Sequence, residues 1–174
     1  MPSDAEITFA DHTARLYARR YGMAPMVGRL LGYLMVCGSR EPSIGELAEA
    51  LLASRSAIAG AVGTLESLGL VRRSRAAGER MDRVYLDRTS RRAWGFDIAE
   101  YRELGELARE GLELLADAPL ERRAVLLEVA AFADFLVERL PILEQEWTSH
   151  REALRIAGEL PGDPVHSDRK DQKR

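Results

Sequence analysis

Apolar residues recur at helical spacing along most of the chain, and serine, glycine and proline separate the apolar segments. The pattern Ser-x-x-Glu at Ser3 predicts a capped amphipathic helix that ends near Gly22. A second helix is predicted from Pro25 to Gly38, because proline fits the first turn of a helix and glycine commonly follows the last. This second helix is apolar over a broad arc, which predicts a central position in the fold.

Residues 43–69 predict two short helices joined by a tight turn. A second Ser-x-x-Glu pattern, at Ser43, begins the first of them, and Ser54 can cap the other, which ends at Gly69. In the helix that follows Ser54, apolar residues recur at helical spacing at Ile58, Ala61, Val62, Leu65 and Leu68, and Ile58, Val62 and Leu65 are expected to face inward. The two helices therefore have the spacing of a helix-turn-helix.

After Gly69 the spacing of the apolar residues changes from that of a helix to the alternation of a β-strand. Residues 70–75 and 83–86 predict two short strands, and the connection over 76–82 contains Gly78 as a turn signal. Two helices followed by a hairpin predict a winged helix-turn-helix. The expected fold class is mainly α, with a two-stranded β-wing and with dimerisation helices at the N- and C-terminal sides.

The C-terminal half is predicted to be helical, with more apolar surface than one helix can bury alone. Residues 94–117 carry a heptad stripe that begins at Trp94, and a second helix is expected over 120–140. Pro141 predicts a kink or a restart, because proline removes a helical hydrogen bond, and helical spacing resumes over 142–159. The apolar excess predicts contact with a second copy of the chain.

These patterns predict four segments. Residues 1–23 form an N-terminal dimerisation helix, residues 24–91 a winged helix-turn-helix DNA-binding domain, residues 92–160 the C-terminal dimerisation helices, and residues 161–174 a disordered tail. The tail prediction rests on its polar, proline- and glycine-containing composition.

Charge is unevenly distributed over a chain whose formal net charge is only -3. Residues 54–93 contain nine arginines and four acidic residues, whereas residues 94–160 contain seven arginines and fifteen acidic residues. This distribution predicts that the basic hairpin faces phosphates. No apolar run is long enough to span a bilayer and no targeting pattern begins the chain, so a cytoplasmic protein without membrane association is expected.

The run SIGELAEALLASRSAIAGAVGTLESLGLVRRSRAAGERMDRVYL resembles the DNA-binding module of MarR-type transcriptional regulators, and GLVRR followed by GER resembles the GbsR-like branch. The resemblance implies a homodimer that binds double-stranded DNA at a pseudo-palindrome. Repression is favoured, because a dimer that covers a promoter occludes it.

Two sets of residues are candidates for contact with DNA. The helix that follows Ser54 turns outward a set of mostly small residues, and we expect modest base readout from Arg55, Ser56 and Thr64. In the wing, Arg80 matches the family position whose guanidinium enters the minor groove, and Arg75 or Arg83 could hold phosphates. The complete set is Ser54, Arg55, Ser56, Ala59, Gly60, Thr64, Arg72, Arg75, Arg80 and Arg83. The alternative for Arg75 is a surface ion pair with Asp82 or Glu79.

The family resemblance also implies control by a small-molecule effector. Its candidate pocket would lie between the winged module and the dimerisation helices, lined by Met26, Tyr33, Trp94, Phe96, Tyr101 and Phe132. Such an aromatic box could bind a quaternary ammonium group, and choline-like effectors belong to the GbsR-like branch. The alternative is that these residues are ordinary core residues at helical spacing.

Other functional classes find less support in the sequence. We predict no cofactor and no metal, because His12, His150 and His166 lack partners at ligand spacing, and no nucleophile motif suggests an enzyme. The one cysteine, Cys37, is expected to be a small apolar filler, with redox sensing as its alternative. The rival function is a winged-helix module that binds another protein without contacting DNA.

Overall fold

The computed structural model describes residues 1–39, 41–75, 82–90 and 94–162. The chain forms two compact units, Met1–Gly95 and Phe96–Arg174. Its elements in chain order are α1 (Asp4–Tyr21), α2 (Pro25–Val36), α3 (Ile44–Ala50), α4 (Arg55–Ser67), β1 (Val71–Ser74), β2 (Arg83–Leu86), α5 (Ile98–Leu114) and α6 (Leu120–Ile156). The predicted fold class, mainly α with a two-stranded wing, is confirmed.

Serine side chains begin three of the helices, as the sequence predicts. The Ser3 hydroxyl accepts the Glu6 amide at the start of α1, and the Glu6 carboxylate accepts the Ser3 amide at 2.7 Å. Ser43 and Glu46 form the same reciprocal pair at the start of α3. Ser54 caps α4 by accepting the Ala57 amide at 3.1 Å. Local side-chain hydrogen bonds therefore fix where these helices begin.

The core of the first unit surrounds α2, which has the central position predicted for it. Leu30 and Leu31 of α2 are 0% and 1% exposed. They pack in one apolar cluster with residues of α3, α4 and the wing, including Leu47, Ile58, Val62, Leu65, Val71 and Val84. Leu68 continues the same spacing but is 42% exposed, because α4 ends at Ser67 and Leu68 lies in the turn that follows.

Helices α1 and α2 approach each other closely at two glycines of α2. A Cβ atom added at Gly32 would lie 2.6 Å from the Cβ of Thr13, and one added at Gly28 would lie 2.8 Å from the Cα of Ala14. Both distances are shorter than carbon atoms tolerate. Gly28 and Gly32 are therefore required by packing, although glycine costs about 1 kcal/mol relative to alanine within a helix.

The wing is a two-stranded antiparallel sheet attached to the start of α3. Val71 pairs with Leu86 and Ser74 pairs with Arg83 at the two ends of the register. Arg83 also forms a bridge with Ser43, and its Nη1 lies 3.2 Å from Oε2 of Glu46. The bend predicted at Gly78 falls outside the described residues. The base of the wing is therefore joined to α3 by a backbone bridge and by an ion pair.

The second unit contains an antiparallel helical hairpin. The backbone position of Gly105 in α5 faces Ala133 of α6, and that of Gly111 faces Leu126. Arg109 of α5 also forms an ion pair with Asp134 of α6. None of the helices in the described part of the chain combines the length with the apolar character needed to cross a bilayer.

Two predictions for this hairpin are corrected. Trp94 was expected to begin the helix, but α5 begins at Ile98, because Gly95 has a φ of 78° and Asp97 provides the N-cap. A restart at Pro141 was among the expectations, but α6 runs unbroken through it. One proline removes a single backbone donor, and the strong helix formers on both sides outweigh that loss. Residues 163–174, which include most of the predicted tail, lie outside the description.

The two glycine environments predict opposite effects of alanine. Gly32→Ala should lower the free energy of unfolding by about 1–3 kcal/mol, because the new methyl group collides with Thr13. Gly60→Ala, in α4, should raise it by about 0.5–1 kcal/mol, because a Cβ there meets nothing within 4 Å. Urea unfolding followed by circular dichroism measures both. Equal stabilities of the two variants would contradict the close approach of α1 and α2.

The junction of the wing with α3 predicts a pH dependence. Hydrogen bonds from the Ser43 amide and hydroxyl, with Arg83 nearby, lower the pKa of Glu46 from its ordinary value of 4.5. Its stabilising effect is therefore present above pH 4.5 and is lost as the pH falls through the lowered pKa. Glu46→Gln keeps a capping side chain without the charge. The stability advantage of the native protein over Glu46→Gln at pH 7 should shrink by pH 3, as measured by urea midpoints; a constant difference would exclude this role.

Candidate nucleic-acid interface

Helix α4 has one face in the core and the opposite face in solvent. Ile58, Val62 and Leu65 are all 0% exposed. On the other side, Arg55, Ser56, Gly60 and Thr64 are exposed, and Ala59 is half-buried. The buried stripe fixes the rotation of the helix about its axis, so the outward residues share a defined surface. We call the outward side chains and backbone of residues 54–67 the α4 face.

The N-terminal end of the α4 face carries two hydroxyl groups and one guanidinium. The Ser54 and Ser56 Oγ atoms are 3.0 Å apart and share a hydrogen bond. Arg55 is exposed and lies beside Gly45 of α3. Among the described residues, no ion pair or hydrogen bond engages its guanidinium. Arg55 can therefore offer its donors to an external anion, next to the amide end of a helix, where negative charge is favoured.

The middle of the α4 face is nearly bare. Added Cβ atoms at Gly60 and Gly63 would meet no described residue within 4 Å, so packing in the described part of the chain does not require glycine at either position. The Thr64 hydroxyl donates to the Gly60 carbonyl at 3.2 Å. Sequence reasoning missed Ser67, which is exposed and continues the spacing of Gly60 and Thr64 by three residues. The backbone of α4 is therefore open to close approach from outside.

The wing arginines in the described part of the chain are paired with carboxylates. The Nε atoms of Arg72, Arg73 and Arg75 lie 2.6, 3.0 and 2.7 Å from oxygens of Asp87, Glu66 and Asp82, and Arg83 pairs with Glu46 as described above. The charge count over residues 54–93 shows an excess of arginine over acidic residues. The geometry shows that much of the positive charge at the wing is balanced locally, while Arg80, Arg91 and Arg92 lie outside the described residues.

Asp87 holds the base of the wing together. Its carboxylate is 6% exposed and accepts hydrogen bonds from Arg72 Nε, from the Thr89 amide at 2.9 Å and from the Thr89 hydroxyl at 2.7 Å. Burial acts to raise the pKa of Asp87, but the hydrogen bonds from Thr89 and Arg72 outweigh it and the pKa is lowered. Arg72, a predicted DNA contact, thus also has a structural role.

Arg75 forms an ion pair with Asp82, which is one of the two partners predicted for it as the alternative to DNA contact. The hydrogen bond with Asp82 raises the pKa of Arg75 and lowers the pKa of Asp82. The Arg75 side chain nevertheless stays 60% exposed, and the Arg72 side chain 64%. A guanidinium has five donors, so an exposed arginine that is paired through Nε can still contact a phosphate.

The residues predicted to form an effector pocket are distributed over several environments. Tyr33 lines a cleft of about 1020 Å³ with Glu6, Arg29 and Glu49. Trp94 lines a different cleft, of about 700 Å³, lined also by Tyr17, Tyr21, Met23, Thr64 and Leu68. Met26 is half-buried beside the core of the first unit. In the second unit, Phe96 is buried, Tyr101 is half-buried and Phe132 is 55% exposed.

Cys37 follows α2 and is half-buried. Its thiol donates to the Ser39 carbonyl at 3.1 Å. Burial raises the pKa of Cys37, which reduces the thiolate fraction at neutral pH. These surroundings favour the predicted role of a small filler over that of a redox sensor.

Comparison with known proteins gives consistent matches over both units. A family model described as MarR family matches residues 21–80, and one described as MmpR5-like MarR family transcriptional regulator matches residues 96–152. The HTH-type transcriptional regulator MmpR5 of Mycobacterium tuberculosis is 35% identical over 114 residues, which are 65% of this chain and 69% of that protein. A crystal structure described as that of a transcriptional regulator has a TM-score of 0.76 and 28% identity, covering 83% of this chain and 99% of the other.

The matched ranges include the elements that build the α4 face. Residues 21–80 contain α2, the helix-turn-helix and β1, and residues 96–152 contain α5 and most of α6. The family consists of transcriptional regulators, which are not enzymes, and membership implies DNA binding. From its winged helix-turn-helix and from its similarity to MmpR5, the chain belongs to the MarR family of transcriptional regulators.

Proposed function

We propose that the protein is a cytoplasmic homodimeric repressor that binds a specific double-stranded DNA sequence and responds to a small-molecule effector. The single observation that carries this proposal is the α4 face, with an exposed arginine that has no ion-pair partner among the described residues and a bare backbone opposite a fully buried apolar stripe. A helix that enters the major groove needs this arrangement, because its outward residues must approach base edges.

Within this proposal, Arg55, Ser56 and Thr64 provide most of the direct contact with bases. Ser54 contacts a phosphate from the helix start, and the small size of Ala59 and Gly60 lets the helix backbone lie close to the DNA. Arg72, Arg75 and Arg83 add phosphate contacts, and Arg80 enters the minor groove. Few side chains here can make bidentate contacts to a base, so DNA shape contributes much of the specificity.

The proposed homodimer is supported by apolar side chains exposed on the second unit. The larger ones on α5 and α6 include Leu107, Leu114, Val125, Phe132 and Phe135, which are 55% to 87% exposed. Exposed apolar residues at this density are typical of helices that are covered in an oligomer. We assign residues 92–160 and 1–23 to dimerisation and residues 24–91 to DNA binding. A dimer also matches a two-fold DNA site.

One observation favours the second candidate function, a module that binds a protein partner. The described wing arginines have carboxylate partners, which weakens the electrostatic argument for DNA. The exposed Arg55 side chain, which has no ion-pair partner among the described residues, nevertheless favours DNA binding over this second candidate.

Assignment to the GbsR-like branch stays a prediction from the wing sequence, because the matched family models are those of the MarR family and of an MmpR5-like group.

Removing the Arg55 guanidinium should weaken DNA binding. A duplex selected from random sequence by the native protein would serve as the ligand, and fluorescence anisotropy would give its Kd. Arg55→Ala should raise Kd by roughly 10-fold or more, since one good contact to a base or phosphate contributes about 1–3 kcal/mol. If Arg55 contacts a phosphate, the slope of log affinity against log salt should also fall by about 1.

A matched control is Arg122→Ala, which removes another exposed arginine, from the first turn of α6. This variant should bind the selected duplex as the native protein does. Equal effects of the two substitutions would contradict the assignment of Arg55. If the native protein selects no duplex at low salt, the protein-binding function would be favoured instead.

The dimer prediction is tested by placing a charge on the exposed apolar surface. Sedimentation of the native protein at micromolar concentration should give twice the 19.4-kDa mass of the chain. Leu107→Glu should shift the protein to monomer, because burying an unpaired carboxylate in the interface is strongly unfavourable. Leu52→Glu, at a leucine of the first unit that is 90% exposed, is the control and should stay dimeric. A monomeric native protein would contradict the proposed dimer.

A further inference from the structure

The side chains of the α4 face keep few hydrogen-bond donors for an external partner. The Ser54 and Ser56 hydroxyls bond to each other at 3.0 Å, so the pair has one hydrogen left to donate. The Thr64 hydroxyl donates to a carbonyl one turn earlier in the helix, and the Ser67 hydroxyl donates to the Thr64 carbonyl at 2.8 Å. The donors available to DNA are therefore those of Arg55 and of the serine pair, all at the N-terminal end of the face.

The composition of α4 excludes most of the hydrogen-bonded contacts by which a helix distinguishes bases. Adenine is typically read by asparagine or glutamine, and cytosine by a carboxylate. Residues 54–67 contain neither Asn nor Gln, and their one acidic residue, Glu66, pairs with Arg73 of β1 at 3.0 Å. Bidentate hydrogen bonding by this face is therefore limited to guanine, through Arg55.

The middle of the α4 face can instead recognise a base by its shape. Ala57, Gly60 and Thr64 are exposed and adjacent on the helix surface, at spacings of three and four residues. A Cβ atom added at Gly60 would meet no described residue within 4 Å. Thr64, whose hydroxyl is bonded to the helix, can still make an apolar contact through its methyl group. This part of the face is therefore small, apolar and recessed at Gly60.

The C5-methyl group of thymine is the apolar group that base edges present in the major groove. Alanine and threonine methyl groups are among its usual protein contacts. A recess without a side chain, flanked by Ala57 and Thr64, has both the size and the polarity that such a methyl group requires. Adenine, guanine and cytosine present no methyl group to fill it.

We infer that the middle of the α4 face recognises thymine through its C5-methyl group, which enters the recess at Gly60. This inference rests on the proposed function, because it takes the α4 face as the surface that enters the major groove. It deepens that function by assigning the base and the chemical group that are recognised. Each half of the two-fold DNA site therefore contains at least one thymine opposite Gly60.

The first test removes the thymine methyl group without removing any hydrogen bond. In the duplex selected by the native protein, each thymine is replaced in turn by deoxyuridine, at the same position of both half-sites. Fluorescence anisotropy gives the Kd of each duplex. At one position or more, the replacement should raise Kd about 10- to 20-fold, because each buried methyl group contributes about fourfold and the dimer buries two. Thymines that face away from the protein are the internal controls and should tolerate the replacement.

The second test uses Gly60→Ala to separate a methyl contact from an effect of the methyl group on DNA shape. The new Cβ occupies the space of the thymine methyl group, so the variant should bind the thymine duplex at least about fivefold more weakly than the native protein does. Deoxyuridine at the sensitive position should restore binding by the variant, because the methyl group of the protein then replaces that of the DNA. The variant is expected to be at least as stable as the native protein, so unfolding would not explain weaker binding.

Three results would overturn the inference. They are equal Kd values for thymine and deoxyuridine at every position, a selected half-site without thymine, and the same thymine preference in the native and Gly60→Ala proteins. The last result would assign the preference to DNA shape. If the native protein binds no duplex even at low salt, the proposed function fails as well, whereas DNA binding without methyl dependence contradicts this inference alone.

Discussion

The burial of the apolar stripe of α4 against the core is the constraint on which the functional surface depends. Ile58, Val62 and Leu65 are fully buried, which fixes both the rotation and the depth of the helix. The same core includes Leu30 and Leu31 of α2, and α2 is in turn held against α1 by close contact at two glycines. The position of the α4 face is therefore set by packing well away from it, and its own residues can be chosen for contact with a ligand.

A second constraint is electrostatic and joins the wing to the helix-turn-helix. Glu46 caps α3 through Ser43 and also pairs with Arg83 of β2, so one carboxylate connects the start of a helix with a strand. Asp87 likewise joins the two strands through Arg72 and the turn after β2 through Thr89. Arginines that a count of charges would assign to DNA binding therefore also hold the wing in position through their ion pairs. The Glu46 side chain is 59% exposed, so its pair with Arg83 contributes little stability and acts mainly on geometry, whereas the Asp87 carboxylate is buried.

Local signals in the sequence predicted much of the fold, whereas long-range contacts had to come from the structure. Ser3, Ser43 and Ser54 begin helices as expected, because a cap is decided by residues three positions apart. The pairing of Arg83 with Glu46 joins residues 37 positions apart, and no periodicity reveals it. The unbroken course of α6 through Pro141 likewise depends on the sum of helix propensities on both sides rather than on the proline alone.

The glycines of the chain separate structural from functional requirements. Gly28 and Gly32 are in contact with α1, so their lack of a side chain has a reason within the fold. Gly60 and Gly63 have open space around them, and each makes α4 less stable by about 0.5–1 kcal/mol than alanine would. A helix that gives up stability at two positions without any gain in packing has a gain elsewhere. In a family of DNA-binding regulators, the gain that fits the proposed function is a close approach of the α4 backbone to the floor of the major groove, which a methyl group at Gly60 would obstruct.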